Sequence, residues 1–200
     1  MSKKHSKLFN YIAPVYAMFY NFQVKYYRET LSKMKDVIDL KEYKTVLDIG
    51  CGTGALCYVL YENKLKVTGI DVADKMINKS KEKLAKTDVK ILKVKPNEKF
   101  PFEDKSFDIV ISSYVIHGLK PKDRAFVYKE ASRLAKEKVI FHEYNENRAI
   151  LTTIVEWLER GDYFNFIKIA KSEMATHFEK VKVVDVYKRA AWYILTPKDR

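Results

Sequence analysis

The 200-residue sequence predicts an α/β fold: a three-layer sandwich around a seven-stranded sheet, five strands parallel and the last two an antiparallel hairpin, behind an N-terminal helical cap. Three observations predict it. From residue 45 onward, short β-branched runs alternate with helical stretches. Three close glycines, Gly50, Gly52 and Gly54, follow the first of those runs. The last two apolar runs are separated only by a short turn near Lys188–Arg189, which forces them antiparallel because a parallel pair needs a long crossover.

The elements follow in order. Residues 1–40 are helical in pattern and dense in aromatics: Phe9, Tyr11, Tyr16, Phe19, Tyr20, Phe22, Tyr26 and Tyr27. Pro14 breaks this stretch, since the residue before a proline is pushed out of helical geometry, and a second helix is expected from about Val24 to Asp39. Strands are expected at 45–49, 66–70, 89–94, 107–112 and 138–142, with helices near 54–63, 73–86 and 121–136. Such alternation means right-handed crossovers and a parallel sheet. Residues 149–160 place Ile150, Leu151, Ile154, Val155 and Leu158 on one helical face, Gly161–Asp162 punctuates, and a further helix runs from about Tyr163 to His177. "KVKVVDVYK" and "AAWYILTP" are the closing strands.

Composition bounds the function classes. A 47% hydrophobic and 32% charged chain is soluble and globular in type. No apolar run has bilayer-spanning length, and no cleavage-site pattern follows the basic start, so a cytoplasmic protein without a secretory signal is expected. The two cysteines, Cys51 and Cys57, build neither a disulfide framework nor a metal cluster; they read as small buried fillers, and no metal is expected. Net charge is +12, about half of it from residues 1–35. That surface suits nucleic acid, acidic metabolites or anionic lipid, or is simply a lysine-rich solvated face.

The glycine loop admits two ligands. Gly50, Gly52 and Ala55 satisfy the dinucleotide pattern G-x-G-x-x-G/A, while Gly50, Gly52 and Gly54 form G-x-G-x-G. Asp48 stands two residues before Gly50, where dinucleotide folds carry apolar residues. Asp71, at the end of the next strand, suits both hydroxyls of a ribose, which either NAD or another adenosine cofactor presents.

The blocks "VLDIGCGTG" (46–54), "GIDVADKMI" (69–77), "FPFEDKSFDIVISSYVIHGL" (100–119) and "FNYIAPVYAMFY" (9–20) decide between them. With these the chain resembles the class I S-adenosylmethionine-dependent methyltransferases, in particular the small-molecule group related to the ubiquinone and menaquinone methyltransferases. The resemblance implies a Rossmann-like fold, S-adenosylmethionine as cofactor and S-adenosylhomocysteine as product. It implies one domain over 1–200, with 1–40 as cap or lid and 41–200 as cofactor-binding core. It places Gly50, Cys51, Gly52, Thr53 and Gly54 under the methionine half, Asp48 near its amino group, and Asp71 on the ribose. Val72 and Met76 pack against adenine, Ser112, Ser113 and Tyr114 face the methionine portion, and Tyr11, Tyr16 and Tyr20 form a lid. Two positions depart from the family. Pro96 stands where an acid usually contacts the adenine amino group, leaving Asn97 to supply that bond, and Val15-Tyr16-Ala17 replaces the usual Tyr-Asp.

The implied chemistry is in-line methyl transfer to a small or amphiphilic acceptor. A base is needed only if the acceptor must lose a proton, and His117, Tyr16 and His142 are the candidates. Met76 as core packing and His117 as a polar strand-end residue are the plainer readings. Two alternatives stand beside this one: an RNA methyltransferase and a non-catalytic S-adenosylmethionine-binding subunit. Methylation of exocyclic base nitrogens is disfavoured, because Ser112-Ser113-Tyr114-Val115 replaces Asn/Asp-Pro-Pro-Tyr/Phe. The basic aromatic N-terminus suits transient membrane-surface contact. The sequence leaves the acceptor and the oligomeric state open.

Overall fold

The structure is a computed structural model and describes residues 11, 17–145 and 163–198. The expected break at Pro14, the lid residue Tyr16 and the expected helix over 149–160 lie outside the described residues. The chain divides into two compact units, Met1–Glu98 and Lys99–Arg200.

Among the described residues of the first unit, helix α1 spans Tyr20–Met34. It starts four residues before the expected Val24, because Tyr20 belongs to the apolar stripe: Tyr20, Val24, Leu31 and Met34 are all buried at helical spacing. It ends before the expected Asp39, whose carboxylate instead accepts Lys41 N–H at 3.0 Å and caps a short 3-10 turn, Leu40–Glu42. Strand β1 (Thr45–Ile49) is buried from its second residue on, as a strand covered on both faces must be. Helix α2 (Ala55–Glu62), β2 (Lys66–Asp71), α3 (Asp74–Lys83) and β3 (Lys90–Lys93) follow at the expected positions. The strands run parallel in the order β3-β2-β1, with Asp48 opposite Gly69 and Ile49 opposite Ile70. That register aligns the carboxyl ends of β1 and β2, where ligands of open α/β sheets bind.

The second unit holds β4 (Phe107–Ser113), α4 (Pro121–Leu134), β5 (Ala135–Tyr144), α5 (Tyr163–His177), β6 (Lys180–Tyr187) and β7 (Ala190–Thr196). β5 begins three residues before the expected 138, directly on leaving α4, and pairs from Ala135 opposite Phe107; a register shift between Phe107 and Ile109 of β4 accommodates one extra residue on β5. β4 and β5 are parallel, and β7 and β6 close the order β4-β5-β7-β6 as the expected antiparallel hairpin around Lys188–Arg189. Seven strands of this kind, with their helices, are the α/β class the sequence predicts.

The "PFEDKSFD" stretch is held by one buried arginine. Arg133 of α4 donates to both oxygens of Glu130 at 2.9 and 2.7 Å, to Asp104 at 2.8 Å, and to the carbonyls of Phe100 and Phe102 at 3.1 and 2.8 Å. Glu130 in turn accepts Phe100 N–H at 2.8 Å. A loop that cannot make ladder bonds thereby has its backbone groups satisfied from a helix.

Candidate cofactor-binding site

Three left-handed glycines shape the loop after β1: Gly50, Gly52 and Gly54 have φ of +76°, +54° and +85°. Side chains with a Cβ disfavour that region. Gly50 and Cys51 both donate to Ile70 O, at 2.8 and 3.1 Å, and Gly54 donates to Cys51 O at 2.9 Å. A Cβ on Gly52 would meet nothing within 4 Å, so bare backbone faces open space there. At Gly54 a Cβ would come within 2.7 Å of Leu84 Cδ1, because helix α3 and its end pack against the loop. Thr53 donates its hydroxyl to Gln23 Oε1 at 3.2 Å, which ties α1 to the loop.

Two buried carboxyls back this loop. Asp71, 7% exposed, accepts Gly52 N–H at 3.0 Å on one oxygen and Ala73 N–H at 2.8 Å on the other. Burial pushes its carboxyl above the usual carboxylate range, and those backbone bonds pull it partly back. A carboxylate has about four acceptor positions, so both oxygens keep capacity for a ligand's hydroxyls. Asp48, 2% exposed, accepts a single 3.2 Å bond from the Cys57 thiol. Burial pushes it to about 7, with the thiol bond opposing and the charge of Asp71 adding to the rise. A pyrophosphate would meet two acids at this seat, whereas a ligand with an ammonium and hydroxyls meets acceptors.

The remaining expected contacts are distributed as follows. Val72 and Met76 are buried, at 4% and 1% exposure, beside the loop end of β2 and in the first turn of α3. Asn97 is exposed in a turn at φ +59°. Tyr11 is exposed. Tyr20 is buried and lines a cleft of about 580 Å³ with Arg28, Tyr58, Lys83 and Lys86, a lining that includes none of residues 50–54. The Lys83 ammonium sits 5.2 Å over its ring, and burial, with Tyr58, Cys57 and Glu62 nearby, pushes its hydroxyl to about 12.

The second unit gathers a separate polar and aromatic cluster at the carboxyl ends of β4 and β5. Ser112 is buried and Ser113 half-buried at the end of β4. Tyr114 follows at φ +53°, a conformation that non-glycine residues adopt at a cost. Glu143, fully buried, accepts Val115 N–H and Ile116 N–H at 2.9 and 2.6 Å on one oxygen and faces His117 Nδ1 at 2.6 Å with the other. That pairing fixes the proton of His117 on Nδ1. His142 is held differently. Trp192 donates its indole N–H to His142 Nδ1 at 2.6 Å, which places the ring proton on Nε2, 3.1 Å from the Tyr114 hydroxyl. Burial pushes His142 down to about 3, so it is neutral at pH 7. Of the three candidate bases, Tyr16 lies outside the described residues, His142 is locked by its neighbours, and His117 is the one paired with a carboxylate.

Sequence reasoning missed Glu143, Gln23 and the bond from Cys57. Glu143 left a trace, an acid beside His142 at the end of a strand whose preceding residues, Val139, Ile140 and Phe141, are apolar. Gln23 and Cys57 left none, since their roles come from partners 30 and nine residues away. Among the described residues no helix is long and apolar enough to cross a membrane, and no group of three or more His, Cys, Asp or Glu is arranged to hold a metal ion.

A Rossmann-like α/β chain with an acid, three left-handed glycines and a second acid in this geometry defines the class I methyltransferase fold. Comparison with known proteins agrees. A methyltransferase domain family matches residues 46–138. An uncharacterized methyltransferase of Geobacillus sp. (strain WCH70) is 31% identical over 143 residues, covering 68% of this chain and 66% of that protein. The phosphatidylethanolamine N-methyltransferase of Cereibacter sphaeroides is 29% identical over 121 residues, 58% of each chain. The chain thus spans between about half and two thirds of the length of these two curated relatives. The crystal structure of a SAM dependent methyltransferase from Aquifex aeolicus superposes with a TM-score of 0.61 at 22% identity, over 82% of this chain and 93% of that one. The chain is thus similar in sequence to methyltransferases over most of its described core and has the fold of the S-adenosylmethionine-dependent class, whose cofactor is S-adenosylmethionine.

Proposed function

We propose that this chain transfers the methyl group of S-adenosylmethionine to a small or amphiphilic acceptor. The observation that carries the reading is the pair of buried acids, Asp48 and Asp71, behind a loop whose Gly52 backbone faces open space. The amino-acid tail of the cofactor lies along Gly50, Gly52 and Gly54 with its ammonium toward Asp48. The ribose hydroxyls go to Asp71, and Val72 and Met76 supply apolar surface for the adenine. S-adenosylmethionine supplies a methyl group already activated on a sulfonium, so the protein's task is alignment. Near-attack geometry is worth roughly 7–11 kcal/mol in favourable cases.

In the second unit, His117 serves as the base for an acceptor that arrives protonated. Glu143 holds the imidazole with Nδ1 protonated and stabilises the imidazolium that forms when Nε2 takes the proton. Two relatives' names accord with an amphiphilic or small acceptor: the phosphatidylethanolamine N-methyltransferase above and a ubiquinone/menaquinone biosynthesis C-methyltransferase of Campylobacter jejuni.

Calorimetric titration with S-adenosylmethionine and with NADH tests the cofactor assignment; binding of NADH alone sinks it. Incubation with methyl-labelled cofactor and separate lipid, small-molecule and RNA fractions tests the acceptor class. Label expected in the lipid or small-molecule fraction but found only in RNA overturns that part.

A further inference from the structure

Asp48 and Cys57 form a contact that the methyl-transfer chemistry does not itself require. Cys57, fully buried in α2, donates its thiol to Asp48 Oδ2 at 3.2 Å. The groups facing Asp48 are Cys57 from α2, the Cys51 thiol of the loop (itself hydrogen-bonded to Cys57) and the Asp71 carboxyl of β2. Asp71 has its oxygens on Gly52 and Ala73 N–H, so the thiol is the side-chain donor that Asp48 receives. The thiols are seated by a missing side chain. A Cβ on Gly69 of β2 would lie 2.9 Å from Cys57 Sγ and 3.0 Å from Cys51 Cβ. Gly69 is opposite Asp48 in the β1–β2 register, so the bare backbone there makes room for the sulfur beside the acid.

We infer that Cys57 is a positioning residue for the cofactor seat: its thiol orients Asp48 and governs the proton that this carboxyl releases when the cofactor's ammonium docks. The inference rests on the cofactor reading above. In the step, the neutral Asp48 carboxyl meets the ammonium, its O–H bond breaks, the proton passes to solvent, and a carboxylate–ammonium pair remains. No oxidant or second reactant is involved. A buried carboxyl with one weak donor favours its neutral form until a cation arrives, because burial penalises the lone charge. The Cys57 thiol stabilises the carboxylate, so it lowers the cost of that release.

The test uses the full chain and S-adenosylhomocysteine, which carries the same amino-acid tail and cannot transfer a methyl group. Calorimetry between pH 6 and 7.5, in two buffers of different ionisation enthalpy, counts the protons released. Wild type is expected to bind about eightfold more weakly at pH 6 than at pH 7.5 and to release close to one proton at the lower pH. Cys57→Ala, losing a bond worth about one pH unit, is expected to bind about ninefold more weakly than wild type at pH 6 but only about threefold at pH 7.5. Cys57→Ser restores the wild-type profile. A loss in Cys57→Ala of the same size at every pH marks a packing role and overturns the proposal. The Asp48 carboxyl carbon, followed by NMR in the ligand-free chain, separates the two readings. A midpoint unchanged by Cys57→Ala overturns the thiol's role even if the cofactor binds normally. A midpoint that moves while wild type binds no S-adenosylhomocysteine overturns the cofactor reading instead, and the coupled release with it.

Discussion

The amide of Gly52 donates to Asp71 Oδ2 at 3.0 Å, so the loop after β1 and the acid that ends β2 are fixed to each other before any ligand arrives. A seat pre-arranged in this way spends little ordering entropy on binding. On the function proposed above, Gly52 faces the ligand while Gly54 serves the packing of α3 on the loop.

Gly52→Ala and Gly54→Ala are expected to behave differently. Gly52 has open space around its would-be Cβ, so alanine costs only the left-handed strain, about 1–2 kcal/mol, while on the proposed function its methyl enters the cofactor seat. Gly54→Ala adds a 2.7 Å approach to Leu84 and a 3.2 Å approach to Ser80, and is expected to lose about 2–4 kcal/mol. Denaturant unfolding and cofactor calorimetry on the same samples check both. A stability loss limited to about 1–2 kcal/mol with binding lost is the pattern for Gly52→Ala, and a larger stability loss is the pattern for Gly54→Ala.

Arg133→Met is expected to destabilise by about 3–5 kcal/mol, since it leaves the buried Glu130 carboxylate without its cation, with only the Phe100 amide on it, and two loop carbonyls without the guanidinium donor. Chemical denaturation at neutral pH measures this.

The same pair carries an acid dependence. Burial alone raises the Glu130 carboxyl, but Arg133 and the Phe100 amide more than offset it and hold it below the usual range. A depressed folded-state value means that the unfolded chain binds the proton first. The pair's contribution is therefore complete above the unfolded glutamate value, near 4.3, and is lost as pH falls through the lower folded value. The gap between the unfolding midpoints of wild type and Arg133→Met is expected to narrow below about pH 4, leaving the part due to the loop carbonyls; a gap that stays constant to pH 3 contradicts this.

Glu143→Ala leaves Val115 N–H, Ile116 N–H and His117 Nδ1 without their acceptor in a buried place. A loss of about 3 kcal/mol or more is expected by thermal or denaturant unfolding. Glu143→Gln keeps an acceptor oxygen but not the charge. Its expected signature is a pH–rate profile shifted at the His117 limb, with cofactor affinity unchanged.

Much of the fold was legible because its signals are local. β-branched runs bounded by glycine and charged residues gave β1 to β4 within a residue or two, and the short Lys188–Arg189 link gave the hairpin. The ends of α1 and β5 were misjudged for one reason: Tyr20 and Ala135 are committed by tertiary partners, an apolar stripe in one case and the β4 register in the other. At the candidate site the glycines and both acids were visible by type and spacing. Cys57, read as a filler, is one, yet it also bonds Asp48, a consequence of which face of α2 meets β1. Glu143 and His117, 26 residues apart, meet only because β4 and β5 pair in parallel. The "PFEDKSFD" block, used for its likeness to the family, is in this structure a loop stapled by Arg133.

Calorimetric titration of the full chain with S-adenosylmethionine, beside Asp71→Asn checked for folding by circular dichroism, tests the central claim most directly. One-site binding in wild type, lost or strongly weakened in a folded Asp71→Asn variant, is the result expected from a seat built on Asp71, Gly52 and Asp48. Absence of binding in wild type, or equal affinity in the variant, would contradict it.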